Sequence, residues 1–301
     1  MSEDEVEIVT EGLAFPEGPV VLPDGDVVVV EVRSGHLTRV HPDGTKDLLA
    51  DVGGGPNGAA IGPDGALYVV NNGGFAWSEM HGLTIPLGPD GSSAPPGFTG
   101  GWVDRVDLAT GAVTRVLDEV DGDRLLGPND IVVGADGGLW FTDFGKSHRR
   151  SMDRGAVYHC RPDGTGATLV ASGITGPNGI GLSPDGSTLY VAETYTGRLL
   201  AWDVTGPGQV EGRPRIVVAT PHHFDSLAVE ADGTVVVAAI NAGLSAVRPD
   251  GTIEQYAMPD AMTTNVAFGG DDQRTAHVTL SAGGKLARAR WPRPGLRLAF
   301  G

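Results

Sequence analysis

Six polar residues open six similar segments spread along the chain, and no other feature narrows the possible folds so far. They are Glu17 in FPEGPVVLPDG, Asn57 in GPNGAAIGPDG, Asn129 in GPNDIVVGADG, Asn178 in GPNGIGLSPDG, Asp225 in HFDSLAVEADG and Asn265 in TTNVAFGGDD. They recur every roughly 40–50 residues, with one longer gap after Asn57, and a period of that size marks a repeat architecture. Each anchor leads into a short apolar stretch and then a turn, such as the PDG turns at 23–25, 63–65 and 184–186. In such a turn Pro presets φ, Asp bonds the local backbone and Gly supplies φ > 0. A run rich in Val, Tyr, Thr and Trp follows: DVVVVE, ALYVVN, GLWFTD, STLYVAE, GTVVVAAI and RTAHVTL. These read as strands. A third and a fourth β-rich run complete each unit, as in GHLTRVH and KDLLA.

Four short antiparallel strands, repeated six times, predict an all-β chain folded as a six-bladed β-propeller. Residues 1–301 are expected to form one propeller domain. The last unit runs out of chain after GKLARARW, so the leading segment VEIVT is expected to supply its outer strand and close the ring. The N-terminal stretch MSEDEVEIVTEG has no basic region followed by an apolar one, which predicts no secretory leader and a cytoplasmic location. No run approaches the ~18 apolar residues of a membrane helix. A net charge of −17 argues against nucleic acid as a partner. The lone cysteine, Cys160, sits in a predicted strand and reads as a buried bystander. Oligomeric state is not legible.

In a ring of blades the anchors converge on one axis. The second strand of each blade runs back beside its anchor. This predicts a second ring at the same mouth, made of Glu31, Asn72, Asp143, Glu193, Asn241 and Ser281. Two long segments also reach that mouth: a lid-like insertion at about 73–101, and FGKSHRRSMDR after Asp143. Long loops of this kind commonly bind or cover a substrate. Two acids and several amides are hard oxygen donors that suit Ca²⁺, with Mg²⁺, Mn²⁺ and Zn²⁺ as alternatives. A single PNG is an ordinary turn. Six in register, with Glu17 and Asp225 replacing Asn, predict a metal site.

The chain resembles the regucalcin/gluconolactonase family of metal-dependent six-bladed propellers. The resemblance rests on FPEGPV, on GPNDIVV followed by LWFTDFG, on GPNGIGLSPDGSTLYVAET and on FDSLAVEADG, in that order. It implies a divalent ion in the central channel, held by Glu17, Asn178 and Asp225, with Asn129 as a ligand or a substrate contact. The arginine that sugar-lactone members carry before the third anchor is absent, since Gly127 and Pro128 stand there. The expected activity is lactone hydrolysis of a small-molecule substrate, with Ca²⁺ as Lewis acid and a water activated by Asp225 or, second, Glu17. Metal ligands are expected at Glu17, Asn129, Asn178 and Asp225. Substrate contacts are expected at Asn57, Asn72, Asp143, His148, His223, Trp77 and Asn265. A binding scaffold without turnover, or a biosynthetic enzyme using the same ion for ring opening, ring closure or dehydration, remain alternatives.

Overall fold

A computed structural model of the chain describes residues 5–301. The part of the N-terminal reading that falls on residues 1–4 lies outside them. Six antiparallel sheets, each with four principal strands, follow one another around a ring. The innermost strands are Pro16–Val21, Pro56–Ile61, Pro128–Val133, Pro177–Leu182, Phe224–Val229 and Thr263–Gly269. This is the six-bladed propeller that the repeat predicts. The sixth blade is completed by Val6–Thr10, which pairs antiparallel with Lys285–Arg290, so VEIVT does close the ring. Among the described residues no α-helix occurs, and no helix is long and apolar enough to cross a membrane.

Local chemistry explains the strands. In blade 1, Val27–Glu31 is buried along its whole length between its sheet neighbours and the next blade. The glycines ending the PDG turns adopt the left-handed conformation that the turn requires, with φ of 89° at Gly25 and 71° at Gly186. The core is divided into six apolar clusters, one at each blade-to-blade interface. Tyr68, Val70, Leu139, Phe141 and Cys160 form part of the cluster between blades 2 and 3. Cys160 is fully buried there, and burial pushes its thiol up to about 12, as expected of an inert cysteine.

The segment after Arg290 was not foreseen. Trp291 is buried and its Nε1 donates to Glu230 Oε1 at 2.6 Å. Arg293 donates to Glu230 Oε2 at 2.5 Å and to Glu254 Oε2 at 2.8 Å. Beyond this knot the chain crosses the end of the channel opposite the anchors. Leu296 packs on the cluster between blades 4 and 5, and Phe300 on that between blades 2 and 3. The segment helps enclose an apolar cavity of about 510 Å³ in the lower channel, lined by Val20, Ile131, Ile180, Leu227 and Leu298 among others.

Candidate active site

Strand pairing breaks beside the anchor in all six blades: at the anchor itself in blades 2–5, just after Glu17 in blade 1 and just before Asn265 in blade 6. The residue preceding the anchor, or in blade 6 two before it, pairs with the end of the second strand. The pairs are Pro16 with Glu31, Pro56 with Asn71, Pro128 with Asp143, Pro177 with Glu193, Phe224 with Ala239 and Thr263 with Leu280. The register then shifts before pairing resumes. A bulge bends its strand and re-aims the side chain it carries. In blades 2–5 that side chain is the anchor, while Glu17 pairs with Val30 and Asn265 with Thr279 at the edges of their bulges. Glycine follows the anchor in blades 1, 2 and 4 because the inner strands nearly touch. A Cβ on Gly58 would lie 2.7 Å from Asn129 O, and one on Gly179 2.6 Å from Leu227 N.

The anchors are buried and interlinked. Asn265 Nδ2 donates to Glu17 Oε2 at 2.9 Å, and the Gly18 amide donates to the same oxygen at 2.9 Å. The Asn178 amide lies beside the Asp225 carboxyl and favours that carboxyl's charged form. Asn178 Nδ2 donates to Thr194 Oγ1 at 3.3 Å, and Ser226 Oγ donates to Asn178 Oδ1 at 3.4 Å. Glu17 and Asp225 feel each other's charge, and burial raises Glu17 to about 7 and Asp225 well above the usual carboxylate range. Asn129 Oδ1 is buried without a hydrogen-bond partner. Asn57 is buried with them.

Asp130 is a third acid in this set, and sequence reading passed over it. It occupies the position that is glycine in blades 1, 2 and 4. Its carboxyl accepts from Ile131 N at 2.9 Å and Ile180 N at 3.4 Å, and burial, with Glu17 nearby, raises it to about 7. The departure from PNG to PND was the available signal. Among the described residues no group of three or more His, Cys, Asp or Glu side chains is arranged to hold a metal. The donor set is therefore mixed, two carboxylates with asparagine carbonyls. A mixed set of hard oxygens fits a divalent cation. The orphaned Asn129 oxygen fits it too, because a buried acceptor left unpaired is costly.

The second ring has structural tasks. Asp143 accepts from the backbone amides of Leu126, Gly127 and Gly145 at 2.7, 2.6 and 2.9 Å, while burial raises its pKa. Glu31 accepts from Ala14 N at 2.5 Å and Glu193 from Thr175 N at 2.8 Å. Each thereby fastens the loop that leads into its anchor strand. The register puts Asn71, not Asn72, in the equivalent place of blade 2, where it accepts from Gly55 N at 2.8 Å. Ala239 and Leu280 hold that place in blades 5 and 6, and Asn241 is exposed.

The insertion carries the hairpin Ser78–Met80 and Leu83–Ile85 and leans on blade 1 through Trp77, whose ring is 5.0 Å from that of Phe15. Ser93 N donates to Ser147 O at 2.9 Å, tying the insertion to the loop after Asp143. In that loop His148 is exposed and faces Asp153 at 3.2 Å, and His223 is exposed beside Phe224. The structure thus brings Glu17, Asn178, Asp225 and Asn265 into one linked cluster, with Asn57 and Asn129 on the neighbouring inner strands. Trp77, His148 and His223 stand apart from it, on the insertion and the mouth loops.

The family described as SMP-30/Gluconolactonase/LRE-like region matches residues 15–282. A gluconolactonase of Zymomonas mobilis is 25% identical over 210 residues, covering 63% of this chain and 51% of that protein. The chain thus spans about half the length of that relative. A pentonolactonase of Haloferax volcanii is 32% identical over 284 residues, covering 89% of this chain and 81% of that one. Among solved structures, regucalcin from Agrobacterium tumefaciens, described as a calcium-binding protein, superimposes with a TM-score of 0.73 at 21% identity, covering 97% of each chain.

Proposed function

The chain belongs to the SMP-30/gluconolactonase/LRE-like family, and on that premise we propose that it is a metal-dependent lactonase acting on a small cyclic ester. The names of its relatives support lactone hydrolysis, and the regucalcin likeness supports Ca²⁺. One observation carries the reading: two mutually repelling buried carboxylates, Glu17 and Asp225, meet amide side chains at one point of the channel. Glu17, Asn129, Asn178 and Asp225 would hold the ion. Bound there, the ion supplies Lewis-acid polarisation of the ester carbonyl and stabilises the charge that develops on its oxygen.

The chain's own groups do the rest. Asp225 takes the proton of the attacking water on a carboxylate oxygen, and the Asn178 amide beside it favours its charged form. Asn265 and the Gly18 amide act on Glu17 in the same way. Asn57 and Asn265 would contact substrate in the ring. Trp77, His148 and His223 would contact it from the mouth, together with Asn72, while Asp143 shapes the mouth through the amides it binds. Burial of the whole set excludes bulk water and strengthens each interaction.

The test is a hydrolysis screen over sugar, aliphatic and aromatic lactones, with chelator and with Ca²⁺ restored. Ring opening that disappears on chelation and returns with Ca²⁺ is the expected result. Turnover indifferent to chelation, or none on any lactone, overturns the reading.

A further inference from the structure

Lys146 follows Asp143 by three residues and heads the hairpin Ser147–His148 and Ser151–Met152. It is 1% exposed, among the most enclosed side chains of the molecule. Its Nζ donates to Gly74 O at 2.7 Å and to Asn72 Oδ1 at 3.4 Å. The ammonium also lies 4.2 Å from the centroid of Phe75 and 4.9 Å from that of Phe98. Gly74 and Phe75 belong to the outgoing stem of the insertion, and Phe98 to the returning stem. The stems themselves touch, because a Cβ on Gly73 would lie 2.3 Å from Gly100 O. A single cation is therefore gripped by both roots of the lid, with aromatic faces supplying the attraction.

The acids near it are occupied elsewhere. Asp143 is held by three backbone amides. Asp153 accepts from the backbone amide of Lys146 at 3.0 Å and faces His148 at 3.2 Å. Burial consequently pulls the lysine down to about 7, against the opposing pull of Asp143 and Asp153. A methionine would fill the same space without desolvating a charge, so packing alone does not account for a lysine here.

We propose that Lys146 is a positioning residue of the enzyme: it clamps the two stems of the lid at residues 73–101 in one closed geometry beside the mouth ends of blades 2 and 3. The proposal rests on the lactonase reading for its kinetic consequence, not for the clamp itself. The full-length protein loaded with Ca²⁺ is compared with its K146M and K146R variants. In K146M, KM rises about 10-fold while kcat changes less, the pattern of lost substrate binding. Chymotrypsin cleaves K146M faster at Phe75, Trp77 or Phe98, and its melting temperature is unchanged or higher. K146R keeps the charge over the rings and recovers part of both effects.

Wild-type KM and wild-type cleavage in K146M overturn the proposal, as does a loss confined to kcat. If K146M does not fold, F98L decides, because it removes one aromatic face and leaves the lysine in place. Faster lid cleavage with raised KM at an unchanged melting temperature supports the clamp, and wild-type behaviour reassigns Lys146 to stability alone. Cleavage needs no substrate. A protein that opens no lactone therefore refutes the lactonase reading while the clamp is still tested.

Discussion

At the scale of single residues, what aims Asp225 is a bulge that interrupts the alternation of its strand, and Glu17 stands as the last paired residue before the bulge of its own blade. These side chains differ in what they can do. Asp225 has an amide beside it, Asn178, that favours its charged form and a neighbouring acid, Glu17, that opposes it. On the proposed mechanism Asp225→Asn keeps the size and removes the base, so turnover should fall about 10²-fold or more. Steady-state kinetics on a lactone substrate check this, and unchanged turnover excludes Asp225 as base. A second prediction concerns His277, away from the site. Burial, with Arg288 nearby, lowers it from 6.5 to about 4, and its Nδ1 has no partner. The folded state resists the proton that the unfolded chain accepts. Its contribution is thus complete above the unfolded pKa and is lost as pH falls from 6.5 towards 4. The slope is roughly 1.4 kcal/mol per pH unit. Urea unfolding at stepped pH between 6.5 and 4 should show the stability difference between the wild type and His277→Phe changing by about that much per pH unit.

Elements bring residues together in ways that differ in legibility. The PDG turns and Val-rich runs were readable because their causes are local, a fixed φ at Pro, a positive φ at Gly and period-2 apolar strands. The anchors were readable because they repeat. The bulges left no mark in composition, since nothing at Pro56 or Phe224 announces a shift in register. Hence the second ring was placed one residue late in blade 2, at Asn72 instead of Asn71. Lys146 was passed over because its partners are Gly74, Phe75 and Phe98, whose approach depends on how the insertion folds back. The knot at Trp291 was equally silent, for it joins residues far apart in sequence. Trp291→Ala would empty a packed site between Tyr256 and Phe268 and strip Glu230 of a donor. The expected cost is about 3–5 kcal/mol, measured by denaturant unfolding. A loss under 1 kcal/mol would show that the segment merely rests on the ring.

At the scale of the molecule, six apolar interfaces hold the blades and like charges gather on the axis that they surround. Glu17, Asp130 and Asp225 oppose one another there. A bound divalent ion relieves that repulsion and stabilises only the folded ring, by about 2.7 kcal/mol at a hundred times its Kd. Chelation should therefore lower the melting temperature by several degrees, and Glu17→Gln should lose that response. A chelator without effect on melting would argue against a tightly held ion. The strand Val6–Thr10 has a consequence of another kind. It leaves the ribosome before any of the six innermost strands, yet its partner Lys285–Arg290 follows all of them. Five blades can assemble during synthesis while that early segment waits unpaired. The circle becomes whole only after translation has passed Arg290, so the early strand stays open to mispairing for as long as the blades between are being made.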